Sequence, residues 1–225
     1  FYGVNSPITQ TFGYGLGELS PAQVLDEAED FFGRHEAPVF HEVSPLASTE
    51  ALAELVERGY SPMEYSSVLF MPLGEFQAGT EPGASPFEVR AIRDDEGELW
   101  SDTTVRGWAD YPELEPFLRE LAPVSTQRQH SLSLLAFEGG KPVASGAMSL
   151  HSGVVLLGGA CTVPEARRRG AQRALLEFRL NHAIAEGCDV AMMGAAPGSA
   201  SQRNAERQGF RIAYTRTKWH RPAGS

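Results

Sequence analysis

The run GVVLLGGACTV, residues 153–163, is almost wholly apolar, stops at Pro164, and passes through the turn EARRRG into a helical pattern. A strand this apolar expects cover on both faces, and a proline cannot continue its ladder of hydrogen bonds. The chain is therefore constrained to a mixed α/β architecture in which a buried strand feeds a helix through a short basic turn.

Around that passage the periodicities set an order of elements. The helix after the turn spans about Gly170–Glu186, with Leu175, Leu176, Phe178, Leu180 and Ile184 mostly toward a core and Gly187 as its stop. DVAMMGA then reads as a strand, SASQRNAERQG as a helix and FRIAYTRTKWH as a last strand. Upstream, FEVRAIR is a strand, residues 94–123 supply one or two helices, and SLSLLAFE and PVASGAMSLHS form a hairpin about Glu138-Gly139-Gly140-Lys141. Residues 74–86, dense in Gly and Pro, read as a linker.

Before the linker, Ser20-Pro21 opens a helix over 21–35 whose apolar face carries Val24, Leu25, Ala28, Phe31 and Phe32. PVFHEVSPL alternates as a short strand, Ser48 caps a helix that Gly59 ends, and YSPMEYSSVLFMPL is another strand. The first twenty residues show no clean period. The two halves echo one another: helix, strand, helix and then a strand led by Gly59-Tyr60 or by Gly209-Phe210. The first copy lacks the basic glycine turn.

Charge narrows the function. The net charge is −10, but residues 1–150 hold 8 basic and 24 acidic side chains while residues 151–225 hold 11 basic and 5 acidic. An acidic body with one bunched set, Arg167, Arg168, Arg169 and Arg173, does not offer the broad basic face of a nucleic-acid binder. It suits a local site for a small polyanion. The first turn of a helix presents unpaired N–H groups and the positive end of the macrodipole. Gly170 lets a phosphate approach the backbone there. Arginines beside that positive end are disfavoured unless an anion joins them, so the turn reads as a pyrophosphate site. A P-loop is excluded because Gly140-Lys141 is followed by Pro142, and a dinucleotide fingerprint because only Gly170 stands between strand and helix.

At these residues the chain resembles the GCN5-related N-acetyltransferase (GNAT) superfamily. The signature [QR]-x-x-G-x-[GA] lies over Arg167, Arg168, Arg169, Gly170, Ala171 and Gln172, departing at Gln172. Thr162-x-Pro164, QRNAERQGF and the element order accompany it, and the likeness covers about residues 87–221. It implies an α/β (α+β) fold with a mixed, mostly antiparallel sheet flanked by helices. Residues 81–225 would form the acetyltransferase-like domain, and residues 1–80 a partial, degenerate GNAT-like half domain before it.

The resemblance also implies acetyl-CoA as cosubstrate, without a metal, and an amine acceptor, in a chain that engages neither nucleic acid nor membrane. Backbone groups of Ala160, Cys161 and Thr162 would pair with the pantetheine arm, and an N–H there could polarise the thioester carbonyl. The N–H groups of Arg168, Arg169, Gly170, Ala171, Gln172 and Arg173 would hold the pyrophosphate. Where many relatives carry a tyrosine acid this chain has Ala205, and the central strand has no carboxylate. Tyr214 and Glu206 are candidates for proton transfer, as is a water chain, so acid and base stay unassigned. The alternative function is a non-catalytic acyl-CoA-binding or regulatory module.

Other features carry plainer readings. Cys161 is a buried strand cysteine, and His182 with Glu186 is a surface pair. Trp100 and Trp108 either line an acceptor pocket or pack the core. Cys161 and Cys188 show no metal spacing and no disulfide framework, which suits a reducing cytosol. No run of about twenty apolar residues suggests a bilayer span. The sequence begins at Phe1 rather than Met, consistent with a leader or segment removed upstream.

Overall fold

Ser20 opens the first helix as its position before Pro21 predicts: its Oγ accepts from the Gln23 N–H, and the Gln23 side chain accepts from the Ser20 N–H in return. The computed structural model describes residues 1–4, 6–77 and 85–223. Residues 78–84, the heart of the expected linker, lie outside the described residues; Gly74 and Glu75 belong to a 3-10 turn, Leu73–Glu75.

In chain order the elements are β1 (Thr11–Phe12), α1 (Pro21–Arg34), β2 (Val39–Val43), α2 (Thr49–Glu57), β3 (Ser61–Pro72), β4 (Phe87–Ala91), α3 (Gly97–Gly107) and α4 (Glu115–Gln127). They continue as β5 (Ser131–Glu138), β6 (Lys141–His151), β7 (Val154–Thr162), α5 (Ala171–Ala185), β8 (Val190–Ala195), α6 (Ala200–Arg207) and β9 (Arg211–Arg221). The helical stretch 94–123 is two helices, the second running on through Pro123 to Gln127. Among the strands and α-helices of the described residues, β1 alone has no forecast. The chain divides into two compact units, one of Phe1–Leu69 with Gly194–Ser225 and one of Phe70–Met193.

In the first unit the strands lie in the order β1, β2, β9, β3. β1 runs parallel to β2, with Thr11 opposite His41, and β2 runs antiparallel to β9, with His41 opposite Trp219. The core is built from Leu25 and Phe32 of α1, Val39 and Val43 of β2, Ala51 and Leu55 of α2, and Tyr60. Two local forecasts change. Phe31 is 39% exposed, its ring edge-on to Phe32 and Phe1. β2 does not alternate: His41 and Glu42 are both buried, because strands flank it on either side and residues pack on both of its faces.

In the second unit the order is β8, β7, β6, β5, β4. Only the β7–β8 pair is parallel; the others are antiparallel, so the sheet is mixed and mostly antiparallel. The β5–β6 hairpin closes with Glu138 opposite Lys141, and both turn glycines take positive φ, 55° at Gly139 and 77° at Gly140. That is the turn geometry which matches strand twist. Helices cover both faces. Cys161 points to α3, where its thiol meets the Thr104 carbonyl at 3.6 Å; its neighbour Thr162 points to α5 and accepts from Gln172 Nε2 at 2.8 Å.

β7 is not buried on both faces as its composition predicts. Leu156 is 42% exposed, because α3 packs against the Ser145–Cys161 end of that face and leaves Leu156 beyond its reach. Ile184 is likewise 43% exposed. It lies about two and a half turns beyond Leu175, on the opposite side of α5.

Candidate acyl-donor site

The site is built where β7 leaves its neighbour. The parallel ladder to β8 ends at Leu157 opposite Met193, and β7 runs on alone along that edge from Gly158 to Thr162. On its other edge it stays paired to β6, but with a bulge. Ala147 faces Gly158 and Ser145 faces Cys161, so Gly159 and Ala160 stand against Gly146 alone. Gly159 supplies the positive φ, 61°, that the bulge needs. Residues 158–160 are exposed, which leaves an open strip of extended backbone. Such a strip can pair with an extended amide chain.

Beyond it the chain turns through Pro164–Ala166 and enters α5. Arg168 sits in the left-handed region at φ 61° and Gly170, the N-cap, at φ 100°. No side chain caps this helix. The first helical bond is from the Ala174 N–H to the Gly170 carbonyl at 3.0 Å. The N–H groups of residues 168–173 therefore have no protein acceptor among the described residues. Successive N–H groups around left-handed residues form an anion-binding concavity, and the helix dipole adds to it.

The arginines play different parts. Arg167 donates to the Thr162 carbonyl at 3.2 Å and the Gly107 carbonyl at 3.2 Å, and pairs with Asp110 at 2.6 Å. It pins the turn to the end of α3. Arg169 pairs with Glu138, and Arg173 with Glu177 at 2.8 Å. Arg168 is exposed and has no ion-pair partner among the described residues, so its charge is free for a ligand. Ala171 is buried at the start of α5, and Gln172 ties the helix to β7 through Thr162.

The nine residues expected to bind a cofactor, Ala160 through Thr162 and Arg168 through Arg173, thus fall on one strand end and one turn of the second unit. The two candidates for proton transfer belong to the first. Glu206, on α6, accepts from Gln202 Nε2 at 2.9 Å, and Tyr214 is half-buried on β9. Ala205 is buried.

Cys161 is a buried strand cysteine. Burial pushes its thiol up, and it lies against Ser145 Oγ at 3.1 Å. Of the two tryptophans, Trp100 is core, 4% exposed with its Nε1–H donated to the Gly146 carbonyl at 3.2 Å. Trp108 is half-buried with its ring 6.0 Å from that of Tyr111. Sequence reasoning passed over two residues here. Gly107, a glycine inside a helical pattern, is one, and Arg179, a charge on the apolar face of α5, is the other. Among the described residues no three His, Cys, Asp or Glu side chains group closely enough to hold a metal, and no helix is long and apolar enough to cross a membrane.

Comparison with known proteins bears on the family and the fold. The profile described as "Acetyltransferase (GNAT) family" matches residues 91–210. Among solved structures, a GCN5-related N-acetyltransferase from Kribbella flavida superposes with a TM-score of 0.70 at 19% identity, over 92% of this chain and 78% of that one. A tandem GNAT protein from the clavulanic acid biosynthesis pathway gives 0.65 at 15% identity, over 91% and 70%. A GCN5-related N-acetyltransferase from Sphaerobacter thermophilus gives 0.58 at 18% identity, over 82% and 59%. At these identities the likeness is one of fold, and the tandem relative agrees with a repeated arrangement. No curated protein matches the sequence.

Proposed function

This chain belongs to the acetyltransferase (GNAT) family, whose members transfer acyl groups from acetyl-CoA, and from that premise we propose that it acetylates a primary amine by direct transfer in a ternary complex. The observation that carries the proposal is the pairing of an unaccompanied strand edge, Gly158–Thr162, with the open N–H groups of residues 168–173. The strand suits the amides of pantetheine and the turn suits a pyrophosphate, in the order in which coenzyme A carries them.

In the proposed complex the backbone of Ala160, Cys161 and Thr162 pairs with the pantetheine arm. The N–H groups of Arg168 through Arg173 hold the pyrophosphate, and Arg168 adds side-chain charge. An N–H at the bulge donates to the thioester carbonyl, so negative charge that develops on that oxygen is stabilised. The neutral amine attacks the carbonyl carbon, the N–C bond forms and the C–S bond breaks. Coenzyme A leaves as its thiol, and the proton it gains balances the one the amine loses. Holding the two reactants in line accounts for much of the acceleration. The amine must first lose its own proton, since a lysine-like amine has a pKa of ~10.4. Tyr214 and Glu206 are the candidate groups for that step. The proposal extends to a cytoplasmic setting, which two unpaired, buried cysteines support.

The test is a panel of small amines, aminoglycosides, lysine peptides and peptide N-termini, each incubated with acetyl-CoA while free thiol is measured. Thiol release with one class identifies the acceptor. Tight acetyl-CoA binding without release for any class would instead support the second reading, a non-catalytic acyl-CoA-binding module. Ala205 favours that reading, because its buried methyl stands where a proton-donating tyrosine is expected.

A further inference from the structure

Arg179 lies in the middle of the apolar face of α5, beside Leu175 and Leu180, and is 4% exposed. Its Nε donates to the Leu175 carbonyl at 3.2 Å and its Nη1 to the Ala147 carbonyl at 3.4 Å. No carboxylate pairs with it among the described residues. The other deeply buried ion of this unit, Glu96, has Arg90 and Arg93. Removing a guanidinium from water without a counter-ion is costly. Burial pulls Arg179 down only to about 10, so it stays charged at neutral pH.

The place it occupies explains what the charge can do. It packs beside Gly146, where a Cβ would stand 3.6 Å from Nη1 and 3.7 Å from Cζ, ordinary contact distances. The same point is 3.9 Å from the Ala160 Cα. The guanidinium therefore spreads under the bulge, where Gly159 and Ala160 oppose Gly146. It takes up the Ala147 carbonyl at that irregularity, which keeps its positive charge close to the bulge.

We propose that Arg179 is a positioning residue for acyl transfer: it holds the β7 bulge in shape and keeps a fixed positive charge beneath the thioester carbonyl seated there. This rests on the acetyl-CoA reading given above. As the amine adds, the carbonyl π electrons move onto oxygen, and a buried cation acts on that charge through a low dielectric. The cost of burying it falls on the resting protein, and its benefit on the transition state.

The experiment uses the full chain and carbonyl-labelled acetyl-CoA, with isotope-edited infrared difference spectroscopy and calorimetry on the wild type, Arg179→Lys, Arg179→Met and Arg179→Gln. A positive charge near the oxygen weakens the C=O bond, so the bound stretch lies below that of free acetyl-CoA in the wild type. Arg179→Lys keeps most of that lowering. Arg179→Met and Arg179→Gln bind acetyl-CoA more weakly, since the bulge loses its support, and at saturating acetyl-CoA the stretch moves back toward the free value. The same stretch in the wild type and in either neutral variant overturns the proposal. So does a wild-type stretch equal to the free one, whatever the variants' folding. A wild type that does not bind acetyl-CoA fails differently, since it removes the donor site itself.

Discussion

Gly107, the last residue of α3, lies so close to Cys161 on β7 that a Cβ on the glycine would fall 2.3 Å from the sulfur and 2.8 Å from the cysteine Cβ. The Thr162 amide nitrogen would be 3.3 Å away. This contact, with Arg167 donating to the Gly107 carbonyl, seats the helix end against the strand that borders the basic turn. Trp108 and Tyr111 follow directly in the chain.

Gly107→Ala is expected to destabilise the protein by about 2–3 kcal/mol, because a closely packed contact must open. Urea denaturation gives the value. Cys161→Ala in the same chain should restore only part, since the cysteine Cβ is itself too close. Full recovery would mean that the sulfur alone makes the contact.

Gly170 has φ 100°, where an L residue is strained by about 1–2 kcal/mol. Its Cβ would meet only Phe87, at an ordinary 3.8 Å. Gly170→Ala should therefore lose stability through the backbone rather than through a clash. Gly170→Glu should in addition weaken acetyl-CoA binding, by placing a carboxylate beside the proposed pyrophosphate. Calorimetry that returns equal acetyl-CoA affinities for wild type and Gly170→Glu removes the site.

Arg168 offers opposite signs for stability and binding. It holds a left-handed conformation at φ 61° with an exposed side chain. Arg168→Gly should raise stability by about 0.5 kcal/mol, the relief of strain being partly offset by glycine's greater unfolded entropy. It should also weaken acetyl-CoA binding about tenfold, or ~1.4 kcal/mol, through loss of one charged contact. Thermal melts and calorimetry on the same samples separate the two. Unchanged affinity would show that this side chain does not meet the ligand.

His41 sets an acid limit on stability. It is fully buried between Tyr14 and Tyr60, with its Nδ1 against Thr11 Oγ1. Burial lowers it to about 4, while Glu29 pulls the other way. The folded value lies below the unfolded ~6.5. Its contribution is thus present in full above pH ~6.5 and lost as pH falls from there toward ~4, an effect of about 3 kcal/mol. Denaturation curves at several pH values should show a shallower acid slope for His41→Phe than for the wild type. Identical slopes would show that the imidazole takes up its proton without unfolding cost.

One acetyl-CoA per chain is expected despite the repeated arrangement. At the start of α1, in the position that corresponds to the basic turn, Ser20 Oγ already accepts from the Gln23 N–H, and no arginine is near in sequence. Calorimetric stoichiometry near one supports this. A value near two would mean that the first copy also takes a ligand.

Much of this was legible because it is local. Ser20 and Ser48 cap helices through bonds to residues three positions on, and Gly59, Gly187 and Gly209 follow helices at positive φ, as single-residue preferences require. The turn around Gly170 is also a short stretch, so its arginines and glycine suggest an anion site without reference to distant residues. The two-residue β1 was not legible. So short a strand exists only because Thr11 and Phe12 find His41 and Glu42 beside them.

The sequence by itself determined the order of strands and helices and the position of the basic turn proposed to hold a pyrophosphate, since both follow from periodicity and from contacts within a few residues. Arg179 stands about one turn from Leu175 on α5, but nothing in the sequence marks its charge as buried. Only the tertiary structure decided that this charge would be buried, because it packs beside Gly146 and donates to the Ala147 carbonyl, both more than thirty positions away. It also decided that Gly107 must have no side chain, that Trp100 is core, and that residues 194–225 join the first unit rather than the second. Each of these depends on which distant segments meet, and close packing between them carries no short-range signature in the chain.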